Sequence, residues 1–88
     1  MIFSAEIRAA RAMLGWSQLD LAEAASIGVA TVRRLESARG EIRGSVETVW
    51  KIENALEAAG IEFIPAEGSK GPGVRLKQRH DKTRGSDL

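Results

Sequence analysis

Apolar positions along the first sixty residues recur at helical spacing and are punctuated by glycines. Ile7, Ala10, Met13 and Leu14 follow one another at three- and four-residue steps after Ser4, and Gly15 ends the run. This predicts a first helix reaching Leu14, with Ser4 as its N-cap and Arg8 and Arg11 on the side away from the core. Ser17 opens a second helix, because its hydroxyl can accept an orphan backbone N–H and Asp20 stands three residues on. Trp16, Leu21 and Ala25 form the apolar face of that helix, and Ala22 is small enough for another helix to come close. A turn over Ala25-Ser26-Ile27-Gly28 leads to a third helix whose Val32 and Leu35 pack inward with Ile27. Its other face carries Val29, Ala30, Arg33, Arg34 and Ser37, short at the N-terminal end and cationic further along.

A fourth helix is predicted after Ser45, with Glu47 in its first turn and Gly60 as its stop. Val46, Val49, Ile52, Leu56 and Ala59 form its core stripe. Trp50 falls off that stripe, where a large aromatic is either a harmless exposed ring or a cover for the C-terminal segment or a second subunit. The last third changes character. Ile61–Ile64 and Gly73–Leu76 read as short strands flanking a Gly/Pro-rich loop, and strands this short are marginal without packing or a partner chain. From Lys77 onward no apolar residue appears until Leu88, which predicts a flexible basic tail over 77–88.

Composition narrows the function classes. The 88 residues contain no cysteine, which excludes a disulfide framework and a thiolate metal site and fits the cytoplasm. His80 has no second His or Cys beside it, so no metal role is expected. No apolar run approaches the ~20 residues that span a bilayer. Net charge is +1, but its distribution is uneven: residues 1–65 hold seven Lys/Arg against nine Asp/Glu, and residues 66–88 hold six against three. A faintly acidic body with arginines gathered at 33–43 suits one local anion-binding surface better than a general polycation. The stretch G-S-K-G-P-G at 68–73 does not open a helix after a buried strand, so it is a linker and not a phosphate loop. No nucleophile elbow or carboxylate pair in a credible cleft is present. The chain is not expected to be an enzyme, and no cofactor is expected.

The pattern W-S-Q-x-x-L-A-E-x-x-x-I-x-x-x-T-V-R-R-L-E over 16–36 resembles the Cro/cI-like, or xenobiotic-response-element (XRE), helix-turn-helix regulators. Two positions depart from it. Ser26 stands where the family favours a left-handed Gly, and Gly28 stands where a Ser or Thr caps the recognition helix. The resemblance implies a mainly α, four-helix lambda-repressor-like domain with a short C-terminal strand or hairpin and a flexible basic tail. The resemblance covers roughly residues 5 to 60, and with the change of character after Gly60 the chain divides into a DNA-binding domain at 1–60, a β segment for dimerisation at 61–76 and the tail at 77–88.

It also implies a double-stranded DNA partner. Val29, Ala30, Arg33 and Arg34 would meet base edges, and Ser17, Gln18, Thr31, Ser37, Arg39 and Arg43 the phosphate backbone, the weaker alternative for Arg39 and Arg43 being solvated loop charges. Arg11 would pair with Glu36, a structural contact fixing the third helix, against the alternative of a solvated charge. A second copy would dock through Trp50, Ile61, Phe63, Ile64, Val74 and Leu76, with Ile61–Ile64 pairing with the same segment or with Gly73–Leu76 of the other chain, against the alternative of a self-contained hairpin folded back over Trp50 with dimers forming only on DNA. The functional expectation is a homodimeric regulator of its own or neighbouring promoters, of the kind found in phages and mobile elements, with RNA polymerase or an antagonist protein as further partners and no membrane. Two rival readings are an antitoxin and a protein-interaction module without DNA binding. The four arginines at 33, 34, 39 and 43 speak against the latter.

Overall fold

The structure, a computed structural model, describes residues 2–78. His80 and the tail from residue 79 lie outside the described residues. Four helices, α1 (Ser4–Leu14), α2 (Gln18–Ala25), α3 (Val29–Glu36) and α4 (Val46–Ala58), precede strands β1 (Ile61–Ile64) and β2 (Gly73–Leu76). The fold is thus mainly helical, with a short hairpin, as its residues predict.

Each helix starts and stops for a local reason. Ser17 Oγ accepts from the Asp20 N–H at 3.0 Å while the Asp20 carboxylate accepts from the Ser17 N–H at 2.9 Å, a reciprocal capping box. Ser45 Oγ likewise accepts from the Thr48 N–H at 3.1 Å. Gly15 ends α1 at φ 69°. Ser26 ends α2 in the same left-handed region, at φ 58°. Its Cβ crowds the following carbonyl there, a strain of about 1 kcal/mol that Gly does not carry. Ser26→Gly is therefore expected to raise stability by about 1 kcal/mol, read as a melting point higher by about 4–8 °C. An unchanged or lower melting point would contradict this. Gly28 caps α3 without any side-chain bond.

The start of α1 differs from expectation. Helical geometry begins at Ser4 itself, and the Glu6 carboxylate reaches back to accept from the Phe3 N–H at 2.7 Å. The Ser4 hydroxyl is buried and donates to the Ala38 carbonyl at 2.7 Å, so it ties two segments together instead of capping one. The N-terminal residues and the loop after α3 are further joined by Ser4 N–H to Gly40 O at 2.9 Å and Ile42 N–H to Ile2 O at 3.1 Å. With Ile42 in the core, the loop is held at both flanks, and Arg39 and Arg43 are presented on its exposed positions.

The core joins all the elements. Ile7, Leu21, Val32, Leu35, Ile52, Leu56 and Ile61 are its largest fully buried side chains. Ala22 is buried where α2 packs on α3, the close approach its size allows. α2 also packs on α4, α1 on β2, and α4 on β1. Two expected core residues lie outside. Met13 is exposed, because Ile7, Ala10 and Leu14 already define the inward face of α1. Val46 is 87% exposed: at 100° per residue it sits about 100° from the stripe centred between Ile52 and Leu56.

The hairpin closes within one chain. β1 and β2 run antiparallel, with Ile61 opposite Leu76 and Phe63 opposite Val74. β1 and β2 thus pair with each other in one chain, which is the hairpin alternative. Ile61, expected at a dimer interface, is fully buried in the monomer core. Phe63, Val74 and Leu76 are partly buried against the same core.

Candidate nucleic-acid interface

The arginines and short residues singled out in the sequence converge around α3. Ala30, Arg33 and Arg34 are exposed, Val29 and Thr31 half-buried. The small residues thus occupy the N-terminal turn, and the guanidinium groups follow toward the C-terminal end, where they also complement the helix dipole. Among the described residues no hydrogen bond or ion pair engages Arg33. Arg34 Nη1 leans on the Arg43 carbonyl at 3.4 Å, linking the helix to the loop that follows it.

Glu36, the last residue of α3, organises what lies behind this face. Its side chain is only 4% exposed. Arg11 Nε donates to Glu36 Oε2 at 2.7 Å and Arg11 Nη2 to Oε1 at 2.9 Å, a two-pronged pair, while Arg11 Nη1 donates to the Trp16 carbonyl at 2.9 Å. Gln18 Nε2 adds a third bond to Glu36 Oε1 at 3.0 Å. Burial pushes the Glu36 carboxyl up, but the bonds from Arg11 and Gln18, with the charges of Arg11 and Arg8, outweigh it and hold the group below the usual carboxylate range. The Arg11 guanidinium is correspondingly held above its ordinary value by its bond to Glu36. This cluster locks the C-terminal end of the recognition helix to α1 and to the start of α2, so the exposed face of α3 has a fixed angle to the body.

The backbone-contact candidates differ in what they have to offer. Ser17 uses its oxygen as cap acceptor and keeps its own O–H for another partner. Gln18 gives one N–H to Glu36 and retains the second. Ser37 donates its one hydroxyl proton to the Arg34 carbonyl at 3.0 Å, so a phosphate contact there would require that bond to swing. Arg8 was missed as a functional residue by sequence reasoning. Its Nη1 donates to the Glu36 backbone carbonyl, and it lines an open cleft of about 590 Å³ together with Arg11, Gln18, Arg33, Arg34 and Ser37. The signal was legible: Arg8 and Arg11, three apart on one helix, must share a face.

A helix-turn-helix family model, of the Cro/cI-type, matches residues 7–62, from within α1 to the start of β1. The chain belongs to the Cro/cI-type, XRE-like helix-turn-helix family. The matched span contains most of α1, all of α2, α3 and α4, and both the arginines of α3 and those of the loop behind it. This family is one of DNA-binding transcription regulators and not of enzymes, and the XRE-type chain described here is a DNA-binding regulator. No curated protein matches the chain. Among the described residues no helix is long and apolar enough to cross a membrane, and no cluster of His, Asp and Glu suits a metal ion.

Proposed function

We propose that this XRE-type regulator acts in the cytoplasm as a homodimer on near-palindromic operators, repressing its own or neighbouring promoters. The exposed, unengaged Arg33 on a helix whose far end is pinned by Glu36 is the observation that carries the reading. Specific readout needs a guanidinium free to form two bonds with a guanine edge, on a scaffold that holds its register. In this reading Val29 and Ala30, too short and apolar to hydrogen-bond, touch thymine methyl groups. Ser17, Gln18, Arg39 and Arg43 hold phosphates.

Val46 and Trp50 support the dimer. They stand one turn apart on α4, 87% and 61% exposed, beside a groove lined by Ile2, Ile42 and Val49. An exposed tryptophan beside an apolar groove is the kind of anchor on which interfaces concentrate their energy. The proposed interface is accordingly centred on Trp50 and Val46.

Footprinting on the DNA flanking its own gene tests both parts. Protection of two half-sites whose centres lie about one helical turn apart is expected. A single protected half-site would remove the homodimer, and no protection there would remove self-regulation. The phosphate assignments have their own check. Replacing Arg39 or Arg43 by Ala should weaken binding to every sequence alike and make the log–log salt slope shallower by up to about two per dimer. A variant with an unaltered slope would return that arginine to the solvated charges.

A further inference from the structure

We infer that Arg8 is a phosphodiester contact, the α1 wall of a seat that grips the DNA backbone beside the recognition helix; this rests on the DNA-binding reading above. The first ground is charge. The cleft between α1 and α3 gathers four guanidinium groups around one carboxylate. Arg11 gives that carboxylate a two-pronged bond and the Trp16 carbonyl a third, so its charge is compensated and three of its five N–H donors are engaged. Among the described residues Arg8, Arg33 and Arg34 form no ion pair, so three cations without a salt bridge line the same concave space, within a body that is otherwise faintly acidic. Such a space favours an anion.

The second ground is how Arg8 is held. It is exposed, yet its Nη1 is fixed on the backbone carbonyl of Glu36. A guanidinium has five N–H donors, so four remain for a ligand while the group itself is pre-positioned. The third ground is the helix end. The C-terminal carbonyls of α3 carry the negative pole of its dipole, which would repel a phosphate. By covering the Glu36 carbonyl, Arg8 turns that end from repulsive to attractive. The phosphate seated there fixes how deep α3 enters the groove without reading any base.

The test measures binding of the full chain to a footprinted operator and to a random duplex across a range of salt, for wild type, Arg8→Ala and Arg8→Lys. Arg8→Ala is expected to weaken both duplexes by the same factor and to make the slope shallower by about two per dimer. Arg8→Lys, which keeps the charge, is expected to restore the slope. An Arg8→Ala variant that loses only operator affinity at an unchanged slope would overturn the proposal, because Arg8 would then act through the placement of α3. So would inorganic phosphate shifting the Arg8 guanidinium NMR signal in a chain whose DNA slope is insensitive to Arg8→Ala, which marks a free-anion site. Wild-type chain lacking any salt-dependent DNA binding would overturn the DNA-binding reading itself, a result distinct from both.

Discussion

Arg11→Ala is expected to destabilise the fold by about 3 kcal/mol, a large share of what a domain of this size has. The substitution strips Glu36 of two of its three side-chain bonds and leaves a carboxylate that is 4% exposed with only Gln18 as donor. Glu36→Gln is expected to cost less, because Arg11 is 19% exposed and can turn a released donor toward water. The order of the two effects is the diagnostic result, and the melting point of Arg11→Ala should fall by at least about 10 °C.

The pH dependence follows from the same geometry. The Glu36 carboxyl is held below its ordinary range in the folded chain, so the unfolded chain binds the proton first as pH falls. Its contribution is fully present above the ordinary glutamate value of about 4.3 and is lost as pH drops through the lower folded value. In Arg11→Ala the cause of the depression is gone and burial dominates. The stability gap between wild type and variant should therefore narrow between pH 7 and pH 3 in chemical denaturation. A gap that stays constant would show that the loss does not arise from the Glu36 charge, and a variant as stable as wild type would show that the pair contributes nothing.

The second large effect concerns base readout. Arg33→Ala is expected to abolish guanine preference at one position of each half-site. A bidentate contact contributes about 2 kcal/mol of discrimination, hence about a thousandfold over two half-sites. Arg34, already leaning on the Arg43 carbonyl, should behave otherwise: Arg34→Ala is expected to weaken all sequences evenly. Binding-site selection with each variant separates the two. If neither changes base preference at any position, both arginines hold only phosphates.

The helix-turn-helix was legible because its signals are local. Ser17 with Asp20, Gly15, and the spacing of Leu21, Val32 and Leu35 are read within one or two turns, and each is found in its expected role. The misread residues depend on what packs from elsewhere. Met13 has helical spacing, but it lies to one side of the face that Ile7, Ala10 and Leu14 turn to the core. Val46 begins α4 on a side that no other element covers. Ser4 looks like a cap until the loop at 38–42 folds back on it, a contact 34 residues distant that no local pattern encodes. The strands at 61–64 and 73–76 were recognisable individually. That they pair with each other within the chain depends on packing that no local pattern encodes. Arg8 was visible as a neighbour of Arg11, but its role depends on a carbonyl at position 36, on another helix.

Salt dependence of duplex binding by the wild-type chain tests the central claim most directly. If α3 and its flanks neutralise about six to eight phosphates per dimer, the logarithm of the association constant should fall against the logarithm of salt concentration with a slope near −5 to −7. A slope near zero would mean that the arginines around α3 do not meet a phosphate backbone, and the account of this surface as a DNA-reading face would be wrong.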